Sequence, residues 1–306
     1  MPPAANAYPL RTLEEHITEL EAMVLQCRAD PGVRPVHRLR TLTRRVEAQL
    51  TLLDTLRTRG RRTEDALDAR RILKKLRRAA GEVRDLDVQT GLVSDYAGKS
   101  RNRLRGDAEK LLKMLGDRRE RAAGKLRKTL EKLDRKLAIE LRGMLKNLPG
   151  TDSVSLSPKQ LTELVREWFK GNAPGIYETT DQLHDLRKRA KLARYLGENA
   201  PKNAAEPRRL AAEFESLQKA GGRWHDWLLL SEIAADEVGE GSALTKAFRR
   251  RAKLALAAYL RLVVSLTQAK DLPAESLRPA QSLPPKIGAA SAPASDAVRA
   301  SERRQA

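Results

Sequence analysis

Two stretches of the chain place a histidine and two cations on one side of a helix. Residues 36–45 read VHRLRTLTRR, and residues 183–191 read LHDLRKRAK. His37 is followed by Arg40 and Arg44, and His184 by Arg187 and Lys191. In both, the offsets are three and seven residues, so at about 100° per residue each trio falls within one narrow stripe. Arginine forks grip phosphate oxygens in pairs, lysine acts as a mobile point charge, and histidine adds a charge that responds to pH. Such stripes suit a phosphate-rich anion.

The stripes border the helix's apolar face. In the first, Val36, Leu39, Leu42, Val46 and Leu50 form that face, with His37, Arg40, Arg44 and the adjacent Arg45 beside it. In the second, Leu183, Leu186, Ala190 and Ala193 do so, and the stripe extends through Lys188 to Arg194. A single stripe of this kind is more often a solvated face whose aliphatic stems shield the core. Its recurrence at equivalent places in two halves favours a site. Further cations are candidates for the same ligand: Lys74, Lys75 and Arg78, with Lys219 at the position matching Arg78, then Arg127, Arg135 and Arg250.

Catalytic apparatus is not visible. Asp85 and Asp87 are two residues apart, about 200° around a helix, and cannot hold one Mg²⁺ together. His225 and Asp226 are adjacent and diverge likewise. Asp85 and Asp226 are expected to orient arginines or cap helices. Trp224 and Trp227 read as core or cation–π partners, and His16 with Cys27 as packing residues, not metal ligands. HExxH, CxxC, P-loop and nucleophile-elbow signatures are absent from the sequence. A binding protein, not an enzyme, is expected, with no metal or cofactor.

The elements that must position these residues are helices. The 306 residues are 41% hydrophobic and only 4% aromatic, with a formal charge of +20 and a pI near 10.3. That charge points to a polyanionic partner, and the composition to an all-α chain. Periodicity and punctuation predict helices near 10–28, 33–59, 62–80, 82–97, 101–147, 158–170, 178–197, 205–220, 223–237 and 242–268. Gly60, Gly81, Gly98, Gly171, Gly197 and the pair Gly221-Gly222 are read as helix ends, and Ser157 as an N-cap before Pro158. Segment 101–146 is strongly basic, with sixteen Lys/Arg against seven Asp/Glu. Beyond about residue 270 the chain turns Pro/Ala/Ser-rich and is expected to be a disordered tail, 271–306. The single Cys27, the missing signal-peptide pattern and the lack of a long apolar run lead to a cytoplasmic expectation with no membrane partner.

The repeat extends past the stripes. LKKLRRAAGEVRDLDVQTGL (73–92) aligns without gaps on FESLQKAGGRWHDWLLLSEI (214–233), matching Leu76 with Leu217, Gly81 with Gly222 and Asp85 with Asp226. This is a duplicated four-helix unit, with halves near 10–150 and 158–270.

These motifs, in this paired order, resemble the two halves of a CHAD domain, the histidine-bearing α-helical domain, over roughly residues 10–268. The resemblance implies two four-helix bundles related by pseudo-two-fold symmetry around a basic cavity. It also implies binding of inorganic polyphosphate and, in bacteria, association with polyphosphate granules. His37, Arg40 and Arg44 match the first motif, and His184, Arg187 and Lys191 the second. The halves differ: Thr41 stands opposite Lys188, Arg45 opposite Leu192 and Arg84 opposite His225. No ExExK signature of the triphosphate-hydrolysing tunnel domain found in relatives is present, which again points to binding without hydrolysis. The alternative is a helical protein that binds nucleic acid non-specifically. It is weakened by the absence of a recognition-helix motif and by the scarcity of aromatic residues for stacking bases.

Overall fold

The computed structural model describes residues 6–56, 64–98, 104–148, 154–173, 177 and 179–268. Among them are eight helices: α1 (Pro9–Ala29), α2 (Val33–Leu56), α3 (Glu64–Gly98), α4 (Arg105–Lys146), α5 (Pro158–Asn172), α6 (Thr180–Gly197), α7 (Ala205–Val238) and α8 (Ala243–Gln268). The fold is all-α. Among the described residues the only pairing of extended backbone is one antiparallel bridge between Ala7 and Leu156. No helix among the described residues is long and apolar enough to cross a membrane. The expected tail, 271–306, and Gly60 lie outside the described residues.

Ten expected helices become eight because two glycine breaks are not breaks. On α3, buried Leu73, Leu76, Ala80 and Val83 follow one another at intervals of three or four residues, straight past Gly81. On α7, Leu210, Phe214, Leu217, Gly221 and Trp224 do the same. An interior glycine costs a helix about 1 kcal/mol relative to alanine, less than the burial gained by an uninterrupted apolar stripe. The glycines serve close approach. A Cβ on Gly81 would lie 2.7 Å from Arg40 Nη1. One on Gly221 would lie 2.8 Å from Tyr259 Cζ and 3.2 Å from Arg187 Cγ.

Other punctuation acts as read. Ser157 accepts a hydrogen bond from the Gln160 backbone N–H, and the Gln160 side chain accepts from the Ser157 N–H, closing a capping box with Pro158 in the first turn. Thr179 and Gln182 build the same box at the start of α6. Gly98 and Gly197 end α3 and α6.

Two cores result. Helices α1–α4 bury leucines such as Leu13, Leu39, Leu76, Leu115 and Leu130 in one cluster. Helices α5–α8 bury Phe169, Leu186, Phe214, Trp224 and Tyr259 in the other. The halves interlock at two places. Ala48 and Leu52 of α2 belong to the second core, while Leu230, Ala234, Leu244 and Phe248 of α7 and α8 belong to the first. The stripe helices α2 and α6 consequently pack directly on each other.

Candidate functional site

The faces of α2 and α6 that turn toward each other carry the two stripes. Lys191 is the clearest reporter of their meeting. Burial first, then the charges of Arg44, Arg40, Arg187 and Arg194, push its amine down to about 6. Two of those arginines come from each half. Arg44 is itself pushed down to about 10 by burial and by Arg40 and Arg77, and Arg187 is lowered chiefly by burial. The buried Nε atoms of Arg44 and Arg187 have no hydrogen-bond partner. Unpartnered donors of this kind are costly to keep from water unless something fills their valence.

Carboxylates offset part of the charge. Arg40 Nη1 lies 3.2 Å from Asp85 Oδ1, and Asp226 is the carboxylate that most offsets the charge around Arg187. Both aspartates sit in mid-helix, so neither caps a helix end. Arg77 pairs with Glu47. Glu198 bridges the halves, accepting from Arg45 at 3.3 Å and from Arg194 at 2.6 Å, and Arg194 also reaches Glu215 at 3.1 Å. Beside this bridge Gln49 donates to Asn199, both buried. At the other end of α6, Lys188 pairs with Asp185 at 2.9 Å, and on α7 Lys219 pairs with Glu215 at 3.0 Å.

The histidines lie toward the N-terminal ends of the stripes. His184 is held down to about 4, first by burial and then by Arg187, His225 and Lys188. Its ring centroid is 4.7 Å from that of His225. His37 is lowered by burial, then by Arg84, Lys191 and Arg40. Burial therefore outranks the neighbouring cations in depressing these groups.

The structure thus brings together His37, Arg40, Arg44, Arg45, His184, Arg187, Lys191 and Arg194, with Asp85 and Asp226 behind them. Lys74, Lys75 and Arg78 are exposed on α3. Arg127 and Arg135 are exposed on α4, which packs chiefly on α3, α1 and α7. Arg250 lines a separate cleft on α8. Cys27 is buried in the first core, its thiol pushed up to about 12, and Trp224 is buried in the second core.

Sequence reading passed over Arg77, Tyr195, Glu198, Glu215 and Gln218, and named Arg84 only as a difference between the halves. One signal was present. Arg77, Gly81 and Arg84 share a face of α3, and their matches on α7 are Gln218, Gly222 and His225. The second face of the site is therefore cationic in one half and nearly neutral in the other.

An all-α chain whose duplicated unit turns two cationic helices toward each other defines a class. The family model described as CHAD domain matches residues 11–235, and the chain belongs to that family. Among solved structures it is similar to the crystal structure of the CHAD domain from the plant Ricinus communis. There the TM-score is 0.59 and identity 17%, over 87% of this chain and 92% of that one. It is also similar to PptA from Streptomyces chartreusis, with a TM-score of 0.55 and 15% identity, over 83% of this chain and 98% of that one. At such identities the likeness speaks for the fold. No curated protein matches the sequence.

Proposed function

We propose that the chain binds inorganic polyphosphate, with the polymer lying against the α2 and α6 stripes together. The observation that carries this reading is the setting of Lys191, where Arg40 and Arg44 of one half and Arg187 and Arg194 of the other act on one amine. Linear polyphosphate carries about one negative charge per unit and only oxygen acceptors, so it meets these donors along its whole length. Binding replaces cation repulsion with charge-assisted hydrogen bonds and satisfies the orphaned Nε atoms of Arg44 and Arg187. Lys74, Lys75, Arg78, Lys188 and Lys219 extend the cationic surface for a longer polymer, with Arg127 and Arg135 on more distant surface. The protein acts as a binding module without hydrolysing its ligand, a reading supported by the absence of an ExExK signature and by the divergence of Asp85 and Asp87, which cannot hold one metal together. Its place in the cell would be the cytoplasm, at polyphosphate granules.

Competition tests the reading. Labelled double-stranded DNA and long-chain polyphosphate are titrated at physiological salt, matched by phosphate. Polyphosphate should displace DNA while DNA fails to displace polyphosphate. Mutual displacement at equal phosphate would make the protein a general polyanion binder and favour nucleic acid.

A further inference from the structure

A ligand-sized cleft lies away from the stripes. It is a cleft of about 510 Å³ where Tyr96, near the end of α3, faces the first three turns of α8. Its α8 wall is made by Ala243, Lys246, Ala247, Arg250, Arg251 and Leu254, which recur every three or four residues along one face. The lining divides into two chemical parts. Lys246 and Arg250, one turn apart, are exposed cations. Arg251 places its guanidinium carbon 5.7 Å from the centre of the Tyr96 ring. Tyr96 is itself braced edge-to-face against Trp227, at 6.4 Å, and Phe248, at 5.5 Å. Leu254 is 60% exposed, unusual for a leucine in the middle of a helix, and with Ala243 and Ala247 supplies an apolar wall.

A bare phosphate polymer has no use for the apolar and aromatic part. A planar guanidinium held over a braced aromatic ring offers a platform for a heteroaromatic base. The apolar wall covers the base edge, and a cation pair one helical turn away suits phosphate oxygens. The volume lies within the range of small-molecule sites. We propose that this α3/α8 cleft binds a nucleoside di- or triphosphate, with the base on the Arg251–Tyr96 platform and the phosphates on Lys246 and Arg250. Arg250 then serves this cleft and not the central stripes. One chain would hold a polymeric phosphate and a nucleotide at two places.

The test uses the full chain and a fluorescent ATP analogue labelled on the ribose. ATP, adenosine and tripolyphosphate serve as unlabelled competitors. The variants are Lys246→Glu/Arg250→Glu, Arg251→Ala and Arg40→Ala/Arg44→Ala/Arg187→Ala/Lys191→Ala. The altered cleft residues are all exposed, so the fold is retained. One analogue should bind per chain, and ATP should displace it at least about tenfold better than tripolyphosphate, the worth of one stacked base. The first two variants should each weaken it by about tenfold or more. The stripe variant, and saturation with long polyphosphate, should leave it within a factor of about two. Absence of binding, equal displacement by ATP and tripolyphosphate, or loss in the stripe variant would each overturn the proposal. Polyphosphate binding is read separately by the DNA competition, so either idea can fail alone.

Discussion

Arg40 passes over Gly81 to reach Asp85 Oδ1 at 3.2 Å, in the space that a side chain at position 81 would fill. In the other half Gly222, which aligns with Gly81, faces open space, and its neighbour Gly221 is the glycine approached closely. Gly221 accommodates the Tyr259 ring, whose hydroxyl donates to the Leu183 carbonyl at 3.0 Å, and only secondarily the stem of Arg187.

Alanine substitutions at the two glycines should therefore part ways. In Gly81→Ala the obstructed atom is the far end of a flexible side chain. Stability should hold or rise by up to about 1 kcal/mol from helix propensity, while polyphosphate affinity falls as Arg40 is displaced. In Gly221→Ala the obstruction is a rigid, buried ring, so overpacking should cost about 1–3 kcal/mol. Thermal unfolding alongside polyphosphate titration separates the two.

Lys191 should be a stability liability kept for binding. Its amine titrates near 6 when folded against an ordinary value of 10.5. The folded state thus holds fewer protons than the unfolded one across that window, and this residue makes stability rise as pH climbs from about 6 to 10.5. Lys191→Met should stabilise the free protein at pH 7 by about 0.5–2 kcal/mol and flatten that rise, at the cost of polyphosphate affinity. Denaturant melts at pH 6, 7.5 and 9 check it.

Polyphosphate binding should take up protons near neutral pH, chiefly on Lys191. Both Lys191 and His184 are depressed, but His184 begins near 4 and needs a far larger rise to charge at pH 7. Binding should be tighter at pH 6 than at pH 8. Calorimetry in two buffers of different ionisation enthalpy should show proton uptake in the wild type and in His184→Gln, and its loss in Lys191→Met.

Glu198 should restrain affinity. It engages Arg45 and Arg194 across the junction of the halves. In Glu198→Gln both arginines become available to an anion, so polyphosphate should bind severalfold tighter at low salt. Stability should fall by about 1 kcal/mol as the bridge is lost. Titration at two salt concentrations and a thermal melt check both effects.

Much of this site was legible in the sequence because helical periodicity is a local property. The apolar stripe of α2 at Val36, Leu39, Leu42, Val46 and Leu50 is buried throughout, with the cations beside it. The continuity of α3 and α7 was not legible. Glycine at 81 and 221 looks like punctuation until the arginine and tyrosine that need the space are known, and those lie 41 and 38 residues away. The acids were missed for a similar reason. Glu198 follows α6 in sequence, and only the packing of α2 on α6 shows that it faces Arg45 from the other half. Arg250 was grouped with the stripes on charge alone, whereas α8 carries it to a different cleft.

The account's central claim is that both stripes form one site. Its most direct test is polyphosphate affinity in Arg40→Ala/Arg44→Ala, in Arg187→Ala/Lys191→Ala and in the four combined, each verified as folded by circular dichroism. A shared site predicts that either half-site variant loses roughly 100-fold in affinity. It also predicts that the combined variant loses much less than the product of the two, because the second removal acts on a site already broken. Modest losses in each half that multiply in the combination would mean two independent basic patches, and would contradict the single site.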